Sequence, residues 1–298
     1  MTVIGVAVLL VFVVGPLLLA AAAIRARGAT AARVAAVRRD WHLTACSALL
    51  YTVAFNLTFF LQELFLVLPK ALTPGLHPIL FHNNHTWSGD SPRVALLQGS
   101  GALAILIIGT VCAVFARRRV CRSRGAQLFL IWMAYCGLFE SLPQVVVGAG
   151  VPQNDVGMAL RYLGLGTSAR IAAALAALAL MPAAAWRLTS DFLGLATAPE
   201  QTASGRARLG FIFQVVTVPA LAGIALIVPY RVPRETIEVL AVPAVVSVLG
   251  TVWIQACAWR HLPPPPYAGA RESLRWPLAA AVALLVLFQL LLRRGLAF

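Results

Sequence analysis

The sequence predicts an all-α fold: a polytopic membrane bundle of about eight transmembrane helices, with residues 1–298 forming a single transmembrane domain. Hydrophobic residues make up 60% of the chain and charged residues only 11%, a composition outside the range of soluble domains. A bilayer core about 30 Å thick needs about 20 apolar residues per helix. Eight runs near that length follow one another along the chain: 2–24, 43–69, 94–116, 126–149, 170–189, 209–229, 236–259 and 276–292.

The first run is predicted to be a retained helix with its N-terminus outside, because its basic residues follow the apolar stretch instead of preceding it as in a secretory signal. This orientation places sixteen of the 24 basic residues in four predicted cytoplasmic intervals: 25–42, 117–124, 187–208 and 260–275. The positive-inside rule favours such a distribution, although Arg293 and Arg294 at the outer end of the last run are exceptions. The net charge of +14 is therefore a topology signal, and no nucleic-acid partner is expected.

Composition also suggests where the protein resides. The chain is rich in Ala and Arg and poor in Lys, which is typical of a GC-rich bacterium, so the expected location is the bacterial inner (plasma) membrane. The basic interval 25–42 is predicted to be either an amphipathic helix on the membrane surface or a solvated connector. The cysteines form no CxxC motif and predict neither a disulfide framework nor a thiolate metal site. They lie in or beside the predicted helices: Cys46, Cys112, Cys121, Cys136 and Cys257.

The second run contains several polar side chains within the predicted bilayer. Thr52, Asn56 and Glu63 fall on one stripe of a helix, with Gln62 beside Glu63. Glu63 lies in the outer half of this run. A carboxylate at that depth is costly unless it is protonated, paired or exposed to a wet cavity, so we expect Glu63 to face the bundle interior.

The segment 70–93 is predicted to be a long outer loop, periplasmic or extracellular. Pro69 directly before the segment, together with three prolines and two glycines within it, argues against a continuous helix here. Its apolar stretch Leu76 to Phe81 is a candidate re-entrant segment, a conformation allowed only where backbone is buried in protein or lines a cavity. The loop also holds most of the polar candidates outside the helices: His77, His82, Asn83, Asn84, His85, Trp87 and Asp90.

The fourth run repeats the plan of the second. Glu140 and Gln144 lie on one helical stripe in its outer half, and Pro143 can kink the helix beside them. After this run, Asp155 follows a proline and precedes a predicted short helix, an arrangement suited to an N-cap. Gln98 opens the third run and adds a further amide at the same end.

Together these residues predict an outer-facing carboxylate and histidine site. Glu63 and Glu140 are the candidate catalytic residues, acting as general base or metal ligand. His82, His85 and Asp155 are candidate ligands of a divalent metal such as zinc, which imidazole and carboxylate groups suit. The remaining candidates would line a polar substrate cavity: Asn56, Gln62, His77, Asn83, Asn84, Trp87, Asp90, Gln98 and Gln144.

Structural roles are the alternatives. The loop residues from Asn83 to Gly89 can form a hydrogen-bonded cap on the bundle, with Trp87 as an interface anchor. Glu63 and Glu140 can be protonated carboxyls that join helices by bonding Gln144, Asn56 or Gln98. No HExxH motif, phosphate-binding Gly-rich loop or repeated Asp-rich motif occurs, and the sequence resembles no family by which a function could be assigned.

Three functional hypotheses follow. The first is a membrane-embedded enzyme that acts at the outer face on a lipid or membrane-bound substrate, with a metal ion if the candidate ligands bind one. The second is a small proton- or cation-coupled transporter or channel that uses the same carboxylates. The third is a non-enzymatic accessory subunit whose outer loop contacts a protein partner.

Overall fold

The computed structural model describes residues 2–27, 40–262, 265–268, 270 and 272–298. The centre of the basic interval predicted as an amphipathic helix or connector, residues 28–39, lies outside this range. The described residues include eight helices long and apolar enough to cross a membrane, which agrees with the predicted all-α bundle. They are α1 (Val3–Arg25), α2 (Trp41–Ala71), α3 (Val94–Arg117), α4 (Arg124–Gly150), α6 (Thr167–Leu193), α7 (Gly205–Arg231), α8 (Glu238–Arg260) and α9 (Arg275–Arg294). A short helix, α5 (Asp155–Tyr162), follows α4.

The long helices contain local irregularities. α3 is divided into Val94–Leu97 and Ser100–Arg117, and π-helical turns occur in four other helices, at Leu10–Val14, Phe213–Thr217, Ile237–Ala241 and Leu287–Leu291. Pro69 and Pro219 each lack the N–H that would bond the carbonyl four residues earlier. Hydroxyl groups from neighbouring helices take over that function. Ser100 Oγ donates to Phe65 O at 2.7 Å and Ser47 Oγ donates to Val215 O at 2.6 Å, so proline positions become sites of helix–helix attachment.

α2 and α4 are the most deeply buried helices, and they supply most of the core. Its centre is an aromatic cluster in which Tyr51 and Trp132 lie with ring centroids 4.6 Å apart and Tyr135 packs beside both. The polar atoms of these rings are paired, as burial requires. Tyr51 Oη lies 2.6 Å from Ser247 Oγ, and Trp132 Nε1 donates to Ser47 Oγ at 2.9 Å. The core therefore joins α2 and α4 to α8.

α3 and α4 approach so closely that their backbones touch. A Cβ built on Gly137 would lie 2.6 Å from both the Gly109 Cα and the Ile105 carbonyl oxygen. Contacts of this kind between small residues are a common means of helix association in membranes. This contact fixes the position of α4, and hence of Glu140 one turn away, relative to α3.

A small antiparallel sheet covers one end of the bundle. β1 (Leu76–Leu80) pairs with β2 (His85–Gly89), and the C-terminal strand β3 (Leu296–Ala297) pairs with the other edge of β1. The apolar stretch predicted to be re-entrant therefore forms a strand, because alternate residues Leu76 and Leu80 bury against the bundle. We call this end of the molecule the hairpin end. β3 brings Arg293 and Arg294 to this end as well.

Candidate functional site

The chain's only lysine lies at the centre of a buried network at the hairpin end. Lys70 Nζ donates to Leu66 O at 2.9 Å, to Gln98 Oε1, and to His85 Nε2 across 3.2 Å. These three acceptors match the three N–H bonds of an ammonium group. The Trp87 ring lies over the same ammonium, 4.9 Å from Nζ to the ring centroid. Lys70 is thus enclosed and fully satisfied.

His85 connects this ammonium to Glu63. Its Nδ1 lies 2.7 Å from Glu63 Oε2, and its ring stacks on Trp87 at a centroid distance of 5.6 Å. Because Nε2 faces the Lys70 ammonium, Nε2 is the acceptor and Nδ1 carries the proton that Glu63 accepts. β2 thereby positions an imidazole directly on the carboxylate of α2, as expected if the outer loop closes over Glu63.

Asp155 joins the network from the other side. The N-cap prediction for Asp155 is wrong: Asn154 caps α5 by accepting from Val156 N at 3.1 Å. Asp155 is instead the first helical residue, and its Oδ1 accepts from Gln98 Nε2 at 3.0 Å. Burial and the nearby Glu63 carboxylate raise the pKa of Asp155 above its usual range, although the positive charge of Lys70 opposes this shift.

A cavity of about 440 Å³ opens next to this network, within the size range of small-molecule sites. It is lined by helices α2, α4, α7 and α8 and by the hairpin. Seven of the predicted site residues line it: Gln62, Glu63, Asn83, Asn84, Glu140, Gln144 and Asp155. Both catalytic candidates, Glu63 and Glu140, therefore face one cavity.

Glu140 is the unusual member of this lining. Both of its carboxyl oxygens are buried without a hydrogen-bond partner among the residues that the structure describes. The predicted bond from Gln144 to a carboxyl does not form, because the Gln144 amide donates to Gln62 Oε1 at 2.8 Å and to the Glu140 backbone carbonyl at 2.9 Å. A buried polar group without a partner is rare in folded proteins, which distinguishes Glu140 from the paired Glu63.

Arg231 is a cavity-lining residue that the sequence did not predict. It ends α7, is 2% exposed and lines the same cavity, together with Arg234 and Glu238. Its guanidinium carbon lies 4.1 Å from the centroid of the Phe59 ring, and Nε donates to Glu238 O at 2.9 Å. Within the described part of the chain, its Nη1 has no hydrogen-bond partner. In the sequence, Arg231 is an arginine at the end of an apolar run. Such an arginine indicates membrane topology as readily as it indicates a binding site.

Five of the predicted cavity residues lie elsewhere, among them Gln98, which belongs to the Lys70 network. Asn56 is buried but donates within its own helix, to Thr52 O at 2.8 Å. His77 and Asp90 are exposed on the hairpin, because they occupy the solvent side of the strand and its end. Trp87 covers Lys70 and His85 from outside and does not line the cavity.

The three predicted metal ligands are not brought together. Within the described residues, the ligand atoms of His82, His85 and Asp155 do not form a set within 4.8 Å of one another. Both nitrogens of His85 are already engaged, one by Glu63 and the other beside the Lys70 ammonium. A cation next to that ammonium would be repelled. The arrangement therefore gives no support to the metal-ligand prediction.

A different group of possible ligands lies at the opposite end of the bundle. Asp40, His42 and Glu272 have ligand atoms within 4.8 Å of one another. However, Arg124 Nη1 lies 3.2 Å from Glu272 Oε2, and Asp40 caps α2 by accepting from Leu43 N at 3.1 Å. The guanidinium supplies the positive charge that an ion would supply, so we interpret the group as an ion-pair cluster.

His82 lies in the turn between β1 and β2 and packs against Phe288 of α9, with ring centroids 5.9 Å apart. Neither ring nitrogen has a hydrogen-bond partner in the described ranges. Burial, together with the positive charges of Arg231, Arg234 and Arg293, lowers the pKa of His82 to about 4. His82 is thus held neutral under the hairpin.

This environment predicts a pH-dependent stability. The unfolded chain, with a histidine pKa of about 6.5, binds a proton more readily than the folded chain does. The stability contributed by neutral His82 is therefore complete above about pH 6.5 and is lost as the pH falls towards 4. Thermal unfolding followed between pH 7.5 and 4.5 should show a smaller acid-induced decrease for His82→Leu than for the wild type. His77→Leu, at an exposed position, is the matched control and should behave like the wild type.

No family model matches the chain, and neither a curated protein nor a solved structure matches it. The functional conclusion therefore depends on the geometry of the cavity.

Proposed function

We propose that this protein is a multi-pass membrane enzyme that acts on the polar head of a membrane-bound substrate, with Glu140 as its general base. The observation that supports this proposal most directly is the Glu140 carboxyl group, whose two oxygens are buried without partners and line a ligand-sized cavity. Intramembrane carboxyl groups are costly and most often functional. A substrate donor bound at Glu140 would supply the missing hydrogen bond.

Glu63 and His85 have a supporting role in this proposal. Glu63 lines the same cavity as Glu140, and its hydrogen bond with His85 gives it a fixed orientation and a proton donor. In this scheme Glu140 removes a proton from the substrate head. The leaving group receives a proton from Glu63, which takes the Nδ1 proton of His85, while the Lys70 ammonium gives a proton to His85 Nε2.

The location of the reaction also belongs to the proposal. From the distribution of arginines in the sequence we infer that the hairpin end lies at the outer face of a bacterial inner membrane. The substrate would then be a lipid or another membrane-bound molecule of the outer leaflet.

Variants at Glu140 test the enzyme proposal. The purified protein would be reconstituted into vesicles of bacterial total polar lipid, and lipid conversion would be followed by liquid chromatography and mass spectrometry. We expect a product with the wild type and a rate about 10²–10⁴-fold lower with Glu140→Gln, the range typical of lost acid–base catalysis. Glu235→Gln, an exposed carboxylate at the same end, is the matched control. Full activity of Glu140→Gln, or no conversion by the wild type, would contradict the proposal.

Proton-coupled transport is the second candidate, and one observation favours it. The hydrogen bonds from Lys70 through His85 to Glu63 connect the hairpin to the cavity. Protons could pass along this chain of hydrogen bonds. Vesicles containing a pH-sensitive dye should then show proton uptake that Glu63→Gln abolishes. Uptake equal to that of protein-free vesicles would exclude this function.

A further inference from the structure

The charges around the cavity are not all equivalent. Glu63 is paired with His85, Arg234 Nε lies 2.6 Å from Glu238 Oε2, and Asp155 accepts from Gln98. Arg231 and Glu140 line the same cavity, yet within the described residues no ion pair within 4.0 Å joins them. The cavity thus contains one cationic side chain, Arg231, and one carboxyl group, Glu140, that are not paired with each other.

Arg231 and Glu140 would bind chemically different groups of a ligand. Arg231 Nη1 offers a buried N–H, and guanidinium groups bind phosphate particularly well. The Glu140 oxygens need donors, which a primary ammonium group supplies in three directions. A quaternary ammonium group has no N–H and would leave both oxygens unpaired.

One wall of the cavity is apolar and reaches the lateral surface of the bundle. Val242, Val245, Val246 and Leu249 of α8 line it, opposite Val147 of α4. Val245 is 52% exposed and Val147 is 47% exposed, so the cavity opens between α4 and α8 on a surface that would face lipid. Polar groups lie inside this opening and valines lie at its edge. This arrangement complements an amphiphile that enters from the bilayer with its polar head first.

We propose that the ligand is a lipid with a phosphate and a primary ammonium in its head, which enters laterally between α4 and α8. Its phosphate binds Arg231, its ammonium binds Glu140, and its chains pass Val147 and Val245 into the bilayer. This inference rests on the proposed function, because it names the substrate class of the same cavity.

The test uses photoreactive phosphatidylethanolamine in vesicles containing the protein, with capture measured by mass spectrometry of cross-linked peptides. We expect phosphatidylethanolamine to be captured at least about 10-fold more than phosphatidylcholine or diacylglycerol with the same chains, since a 10-fold preference corresponds to only about 1.4 kcal/mol. Arg231→Met should lower its capture to the level of diacylglycerol. Equal capture of the three lipids would overturn the assignment of the head group.

Tryptophan variants test the entry route. Val245→Trp should reduce the rate of capture at least about 10-fold by filling the opening, again about 1.4 kcal/mol. Val248→Trp is the matched control, because Val248 is 42% exposed on the same helix but does not line the cavity. If the two variants capture lipid at the same rate while Glu140→Gln remains inactive, lateral entry is wrong and the enzyme proposal stands. If Glu140→Gln converts lipid normally, the proposed function fails whatever the route.

Discussion

Replacing Gly137 by leucine is expected to prevent α3 and α4 from packing and to cause one of the two largest losses of folded protein among the substitutions considered. The obstacle is backbone rather than side chain, since even a Cβ at this position lies 2.6 Å from the Gly109 Cα and the Ile105 carbonyl oxygen. Neither atom can move without shifting α3. We expect a destabilisation of about 3 kcal/mol, the upper end of the usual range for overpacking.

Denaturant titration of the detergent-solubilised protein, followed by tryptophan fluorescence, measures this effect. Gly210→Leu is the control, because a Cβ at Gly210 meets nothing within 4 Å and should leave the transition in place. Gly137→Ala should lie between the two. A Gly137→Leu protein that unfolds at the wild-type denaturant concentration would show that α3 and α4 are not in backbone contact.

Replacing Lys70 by methionine is expected to destabilise the fold by at least as much. Methionine approximates the shape of the lysine stem but removes the ammonium, which leaves Leu66 O, Gln98 Oε1 and His85 Nε2 without their donor. It also removes the positive charge beside Glu63 and Asp155. Breaking a buried charged network by removing one partner costs about 3–5 kcal/mol.

The same denaturant titration measures the loss. Arg93→Met removes a positive charge from an exposed site on the same loop and should change the unfolding free energy little. A double variant, Lys70→Met with Glu63→Gln, should recover part of the loss because it also removes the buried carboxylate that has lost its neighbouring positive charge. If Lys70→Met were as stable as Arg93→Met, the network would have no part in holding the hairpin.

The sequence predicted the helices well because their signal is simple. A run of about 20 apolar residues needs no tertiary information to be identified, and all eight predicted runs correspond to long helices. The convergence of Glu63 and Glu140 could also be predicted, since a buried carboxyl must face the bundle interior. The conformation of Leu76 to Leu80 could not, because a five-residue apolar stretch fits a strand or a re-entrant segment equally.

Partners of polar residues were much harder to predict. Asp155 was expected to cap its own helix, but Asn154 performs that function, and only the fold brings Gln98 within 3.0 Å of Asp155. Arg231 is more than 140 residues from Asn83, whose amide donates to its carbonyl, so no local pattern relates them. Its role at the cavity depends on where α7 ends relative to the hairpin, which is a property of packing.

The position of Lys70 gives the protein a natural chemical reporter. Because Lys70 is the only lysine in the sequence and is fully buried beneath the hairpin, the folded chain offers amine-reactive reagents no side-chain target. Modification of Lys70 therefore requires the hairpin to separate from α2 and α3. The rate of its acylation, measured by mass spectrometry without introducing any label, reports how often that end of the molecule opens and whether a bound lipid keeps it closed.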